Sequence, residues 1–148
     1  MGDGLAEVEQ LAWLTLEQHR LTEQGWTFAW DRAVRRAGAC HYERRAVTLS
    51  RPIFAIEANR DDVLDVLLHE VAHALAGPDA AHGPEWRRLA RTIGARPERC
   101  HALETPPLPV LGTCGCGPTH ERTRRPKGRY VCRRCGGPIR WRRREPSA

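Results

Sequence analysis

The sequence predicts an α+β fold carrying a small C-terminal appendage, on three observations. Residues 5–23 repeat apolar side chains at a helical period, and residues 26–30 alternate at period two. Residues 67–75, LLHEVAHAL, form an apolar helical run interrupted by His69, Glu70 and His73. Beyond the proline-rich stretch 105–109, four cysteines fall close together. That stretch is the best boundary candidate, dividing the chain into residues 1–105 and 106–148.

Taken in order, Leu5, Val8, Leu11 and Ala12 share one stripe, so a helix is expected over about residues 4–23, stopped by Gly25. Trp26-Thr27-Phe28-Ala29-Trp30 reads as a half-buried strand whose aromatics pack on the first or second helix. A basic, polar stretch ends at Gly38. Residues 39–42 and 46–50 are the next strands, joined as a hairpin by Glu43-Arg44-Arg45, so a small antiparallel sheet is expected. Residues 52–58 form a short apolar connection. Asn59 or Asp61 caps the next helix, about residues 60–76, with Asp61, Asp62 and Asp65 favoured by the dipole in its first turn. Gly77-Pro78-Asp79 ends it. After a turn at residues 80–84, Pro84 opens a last helix with Trp86, Leu89, Ala90 and Ile93 on one face, closed by Gly94.

The helix of residues 60–76 carries the chemistry. His69 and His73, four apart, present their imidazoles on one face one turn apart, where they can share one Zn²⁺. Glu70 leans toward a water on that metal and is the candidate general base of a peptide hydrolase. Polar groups on so apolar a helix need a partner, and a metal supplies one. A catalytic zinc takes three protein ligands and leaves a position for water. His82, nine residues after His73, can return to the metal once the chain turns at Gly77. Glu85 is the competing third ligand, but a carboxylate in the first turn of a helix is favoured there without any metal. The pattern is not the His-Glu-x-x-His-x-x-Gly-x-x-His of metzincins, because Gly77 and His82 fall at other distances. For an oxyanion donor, His101 and Tyr42 are the candidates.

Cys114, Cys116, Cys132 and Cys135 read as a second, structural zinc site. Cys132-Arg-Arg-Cys135-Gly-Gly has the shape of a zinc knuckle. Cys114-Gly-Cys116 has one intervening residue instead of two, which keeps His120 as an alternative ligand. Cys40 and Cys100 stand apart and are expected to be buried or half-buried free thiols.

Charge is unevenly placed. Residues 1–110 hold 13 Lys+Arg and 16 Asp+Glu, whereas residues 111–148 hold 11 and 2. The basic character therefore belongs to the appendage alone, and an isolated basic segment suggests a polyanion, most simply DNA or another nucleic acid. Zinc-bound thiolates subtract about two charges and leave it positive. The contact candidates are Arg122, Arg124, Arg125, Lys127, Arg129, Arg133, Arg134, Arg140, Trp141, Arg142, Arg143 and Arg144. Tyr130 is expected to pack inside the ribbon. No apolar run of 18 residues is present, which argues against a membrane span, and the N-terminus lacks the form of a secretory signal, so a cytoplasmic monomer is expected. Myristoylation of Gly2 is not expected, because position 6 is Ala.

Three features together, HEVAHALAG, HGPEWRRLARTIGARPERCH and the cysteine ribbon, make the chain similar to the SprT-like family of zinc metallopeptidases over about residues 63–135. The resemblance implies a minimal zincin domain with catalytic zinc on His69, His73 and His82, and with Glu70 as catalytic residue. It also implies a zinc ribbon with Cys-x-Cys, a nearby Thr-His and arginine-rich strands. Spartan-type relatives degrade proteins crosslinked to DNA, so the expected substrate is protein bound or crosslinked to DNA. The alternative expectation is a non-proteolytic nucleic-acid-binding or regulatory protein on the same scaffold.

Overall fold

Residue Leu21 decides where the first helix ends. A computed structural model describes residues 3–98, 102–117 and 119–145, and in it α1 spans Gly4–Gln18, shorter than the periodicity predicts. Leu21 is fully buried. Its N–H reaches back to the Leu16 carbonyl, and a short 3₁₀ turn, Thr22–Gln24, follows to Gly25. Turning Leu21 inward stops the regular helix sooner than the apolar pattern alone suggests.

Contacts divide the chain into two units, Met1–Pro106 and Pro107–Ala148. The first contains α1, β1 (Thr27–Asp31), β2 (Gly38–His41), β3 (Ala46–Ser50), α2 (Arg51–Phe54), α3 (Val63–Ala76) and α4 (Pro84–Ile93). Its sheet has the order β1-β3-β2. β2 and β3 form the expected antiparallel hairpin, but β1 pairs with β3 in parallel, Thr27 opposite Ala46 through Asp31 opposite Ser50. The sheet is therefore mixed, which corrects the antiparallel expectation. All five residues of β3 are buried, and a strand covered on both faces belongs in the middle of a sheet. Asp31, at the end of β1, accepts hydrogen bonds from Thr48 of β3 at 2.7 Å and Arg36 at 2.8 Å, which lock this register.

Aromatics of the first strand do pack toward α1: Trp26 and Phe28 join Val8, Ala12 and Leu16 in the main core, and Trp30 donates from Nε1 to Glu9 at 3.2 Å. Residues 52–58 are more structured than a connection. Ser50 accepts from the Ile53 N–H, and the buried Ile53 and Phe54 sit on α2. A 3₁₀ turn, Glu57–Asp62, leads into α3, which starts later than predicted. Asn59 does not cap α3. Its buried side chain donates to the Ile53 and Glu104 carbonyls, both at 2.8 Å, and accepts from the Glu104 N–H. Asp65 of α3 accepts from the Arg96 backbone N–H at 3.0 Å and so ties α3 to the segment leaving α4.

The second unit is an antiparallel sheet, β4 (Val110–Thr113), β5 (Thr119–Arg122) and β6 (Arg140–Arg143), in the order β5-β4-β6. Gly112 of β4 faces Trp141 of β6. A Cβ on Gly112 would lie 2.6 Å from Ile139 and 2.7 Å from Trp141, so the missing side chain is the space those two fill. Among the described residues no helix is long and apolar enough to cross a membrane.

Candidate metal centre and its cleft

Three imidazoles converge in the first unit. His69 and His73 stand one turn apart on α3, and the chain beyond Gly77 brings His82 to them. The Nε2 atoms of His69 and His73 lie 3.1 and 3.0 Å from that of His82. Three nitrogens bound to one tetrahedral zinc at about 2.0–2.1 Å stand about 3.3 Å apart. The donor set therefore fits such an ion. Burial, followed by the neighbouring His69 and His82, pushes the His73 imidazole down to about 4. It stays neutral near pH 7, as a metal ligand must.

Two devices hold the histidines. Trp86 of α4 is 1 % exposed and touches all three rings. It stacks on His73 at 5.1 Å and meets His69 and His82 edge-on, both at 4.7 Å. Ala81, immediately before His82, has φ 44° and ψ −127°, a conformation that costs a residue with a Cβ about 1–3 kcal/mol. The strain sits where the chain must reverse to deliver His82. Glu85 is not in the histidine cluster; it lies in the first turn of α4, where its carboxylate suits the helix dipole.

Glu70 is 8 % exposed, and burial pushes its carboxyl up to about 7, with Arg36 lowering it and Asp31 raising it. Its cover is the bare backbone of Gly38 on β2. A Cβ there would lie 3.0 Å from Glu70 Cγ and 3.2 Å from Glu70 Oε1. Glu70, His73 and His82 open on a cleft of about 290 Å³ that Cys40, Tyr42, Pro78 and Ala81 also line. The Cys40 thiol is pushed up to about 12 by burial and by the charge of Glu70, so it is no nucleophile near neutral pH. The Tyr42 hydroxyl, also pushed to about 12 by burial and by Cys40, remains a hydrogen-bond donor. Gly38, Cys40 and Ala81 carry no motif in the sequence. The strand expected at residues 39–42 was the available signal for this wall, and a strand alone does not say which helix it meets. His101, Arg99 and Cys100 lie outside the described residues.

In the second unit the four thiols Cys114, Cys116, Cys132 and Cys135 form one group whose sulfurs lie within 4.8 Å of one another. Cys116 Sγ lies 3.4 Å from that of Cys114 and 3.7 Å from that of Cys132. Thiolates on one zinc at about 2.3 Å stand about 3.8 Å apart. The Cys132 thiol is held down by the backbone N–H groups of Cys135 and Arg134. His120 Nε2 approaches Cys114 Sγ at 3.7 Å from beside the thiols, which already make up a four-donor set without it.

The basic side chains do not all face solvent alike. Arg122, Arg124, Arg125, Lys127, Arg129, Arg133, Arg134, Arg140, Arg142 and Arg143 are exposed. Arg144 is engaged instead, with the Glu121 carboxylate and, through Nε, with the Leu108 carbonyl at 3.1 Å. Tyr130, expected inside the ribbon, is instead 47 % exposed, while Trp141 is half-buried over Gly112, where the glycine opposite it leaves room for an indole.

The sequence model of the SprT-like family matches residues 8–105. Protein SprT of Klebsiella pneumoniae is 29 % identical over 114 residues, covering 68 % of this chain and 68 % of that protein. No solved structure matches significantly.

Proposed function

The chain belongs to the SprT-like family, and from that premise we propose that it is a zinc-dependent metallopeptidase of zincin type, acting on proteins bound or crosslinked to DNA. One observation carries the reading: the Nε2 atoms of His69 and His73 both lie within 3.1 Å of that of His82, beside a buried carboxylate that opens on the same cleft. His69, His73 and His82 hold the catalytic zinc, and Cys114, Cys116, Cys132 and Cys135 a structural one. The catalytic ion supplies Lewis-acid polarisation of the scissile carbonyl and a more acidic water.

The protein's own groups do the rest. Glu70, with a carboxyl near 7, is matched to accept a proton from the attacking water at one oxygen and return it to the departing amine. The Gly38 backbone over Glu70 fixes where that oxygen points. Tyr42 donates its O–H toward the charge that develops on the substrate oxygen. The cleft, about 290 Å³, has room for a short stretch of a substrate chain beside Glu70. The basic second unit holds nucleic acid and brings the peptidase to proteins on it, in a cytoplasmic setting that keeps the thiols reduced.

Glu70→Gln tests the reading. Zinc content should be unchanged while hydrolysis of an unfolded basic protein, in the presence of single-stranded DNA, falls on the order of 10²-fold or more. Unchanged hydrolysis would refute Glu70 as the base. Absence of hydrolysis in the wild-type protein with and without DNA would favour the non-proteolytic reading, for which the basic charge of the second unit is the supporting observation.

A further inference from the structure

A separate concavity lies within the second unit, at one end of its sheet. It encloses about 440 Å³ and is lined by Arg124 and Arg125 beyond β5, Arg142 and Arg143 of β6, Thr123, and the backbone entering β4. Four arginines line it and, among the described residues, no acid does. Residues 107–148 contain two acids, Glu121 and Glu145. Glu121 is already taken by Arg144. Among the described residues, no ion pair or hydrogen bond engages the four lining side chains.

Bringing four like charges around one hollow raises the energy of the protein alone unless an anion enters. The position is also informative. Val110 pairs with Arg122 on one side and Arg143 on the other, so the pocket sits at the Val110 end of the sheet. The cysteines follow Thr113 at the opposite end. Zinc-bound thiolates, with about two negative charges, are thus as far from the pocket as the sheet allows. Planar guanidinium forks match phosphate oxygens two at a time.

We propose that this pocket is the phosphate site of the second unit, where Arg124, Arg125, Arg142 and Arg143 grip two successive phosphodiesters of a nucleic-acid strand. The remaining basic residues then act as diffuse charge. The proposal rests on the reading that the second unit binds nucleic acid, and it names the place and chemistry of that contact. Arg144 is excluded from the site because its guanidinium serves the fold. Trp141, covered by the packing over Gly112, is excluded as a base-stacking platform.

Binding of a fluorescent single-stranded oligonucleotide by the full chain, measured across a salt series, tests it. The variants are R124A/R125A, R142A/R143A and, on the far knuckle, R133A/R134A. Each pocket pair should weaken binding about tenfold or more. Each should also flatten the slope of log K against log salt by about 0.7, for the one single-strand phosphate of the two that the pair grips. The knuckle pair should change both much less, and zinc content should stay at the wild-type value in all three. If a pocket pair loses zinc, the Arg→Lys version of that pair replaces it: charge is kept and the fork is lost, so weaker binding again supports the site. Equal losses from pocket and knuckle pairs would overturn the site while leaving nucleic-acid binding in place. Absence of wild-type binding would overturn the nucleic-acid reading itself, and the site with it. Inorganic phosphate that binds the pocket as tightly as the oligonucleotide would assign it to small phosphate compounds and overturn the strand.

Discussion

The backbone of Gly38 lies directly over Glu70: a Cβ at that position would sit 3.0 Å from Glu70 Cγ and 3.1 Å from Val66 Cγ1. An edge strand and the histidine-bearing helix thus come into close contact, with the Glu70 side chain between their backbones. Gly38→Ala must displace Glu70 or β2, and a misplacement of about 1 Å in a reacting group can cost about 10²-fold in rate. The expected result is a loss of hydrolysis on that order with zinc content retained. In a Glu70→Gln background the same substitution should cost no further activity, because the two act through one group. A full additional loss in that background would show that Gly38 acts elsewhere.

Trp86 provides a second test of how the site is held. It is fully buried and touches all three histidine rings, and its Nε1 has no hydrogen-bond partner among the described residues. Trp86→Phe therefore forfeits volume and no hydrogen bond, and should keep zinc at reduced thermal stability. Trp86→Ala opens a cavity and should cost about 3–5 kcal/mol together with much of the zinc affinity. Thermal melts and metal titrations on the two variants measure both effects. Equal zinc affinity in Trp86→Ala and the wild type would show that the histidines hold their arrangement without it.

What the sequence made legible follows the range of the interaction. His69, Glu70 and His73 are neighbours on one helix, and helix periodicity is enough to place them together. His82 required only a stop at Gly77 and a short return, both written locally. Gly38 meets Glu70 across 32 residues of chain, and nothing near Gly38 signals that contact; in the sequence it reads as a break. The parallel pairing of β1 with β3 was hidden for a related reason. Alternation identifies strands, whereas their order depends on which strand can be buried on both faces, and the all-buried β3 takes the centre. That Trp141 and not Tyr130 packs inward was likewise not written locally, because the glycine that makes room for an indole lies on a different strand.

Metal content separates the two sites. Two donor sets of different chemistry imply about two zinc ions per chain. His69→Ala should remove one and leave the thiolate-bound ion; Cys132→Ser should do the reverse. Because the second unit is small, a metal on its four thiols would supply much of its folding energy, so a strong chelator should unfold residues 107–148 before the first unit. Far-ultraviolet circular dichroism alongside metal analysis follows both events. A wild-type protein that takes up only one zinc after reconstitution would contradict the two-site reading.

Tyr42 lines the cleft together with Glu70, His73 and His82, and its hydroxyl is held protonated by burial and by Cys40. A neutral donor on the wall of a cleft is useful to a substrate oxygen only as that oxygen gains charge, so its contribution belongs to the transition state more than to substrate binding. Removing one such donor commonly costs about 10²–10³ in kcat. Tyr42→Phe keeps the ring that meets Trp26 edge-on at 6.3 Å, so the fold should be preserved. The expected signature is a fall in kcat of at least about tenfold with KM little changed. Cys40→Ala, which removes the thiol beside the hydroxyl and no donor to substrate, should have a smaller effect. A rise in KM with kcat unchanged would make Tyr42 a substrate-binding wall, and leave the developing charge to the metal alone.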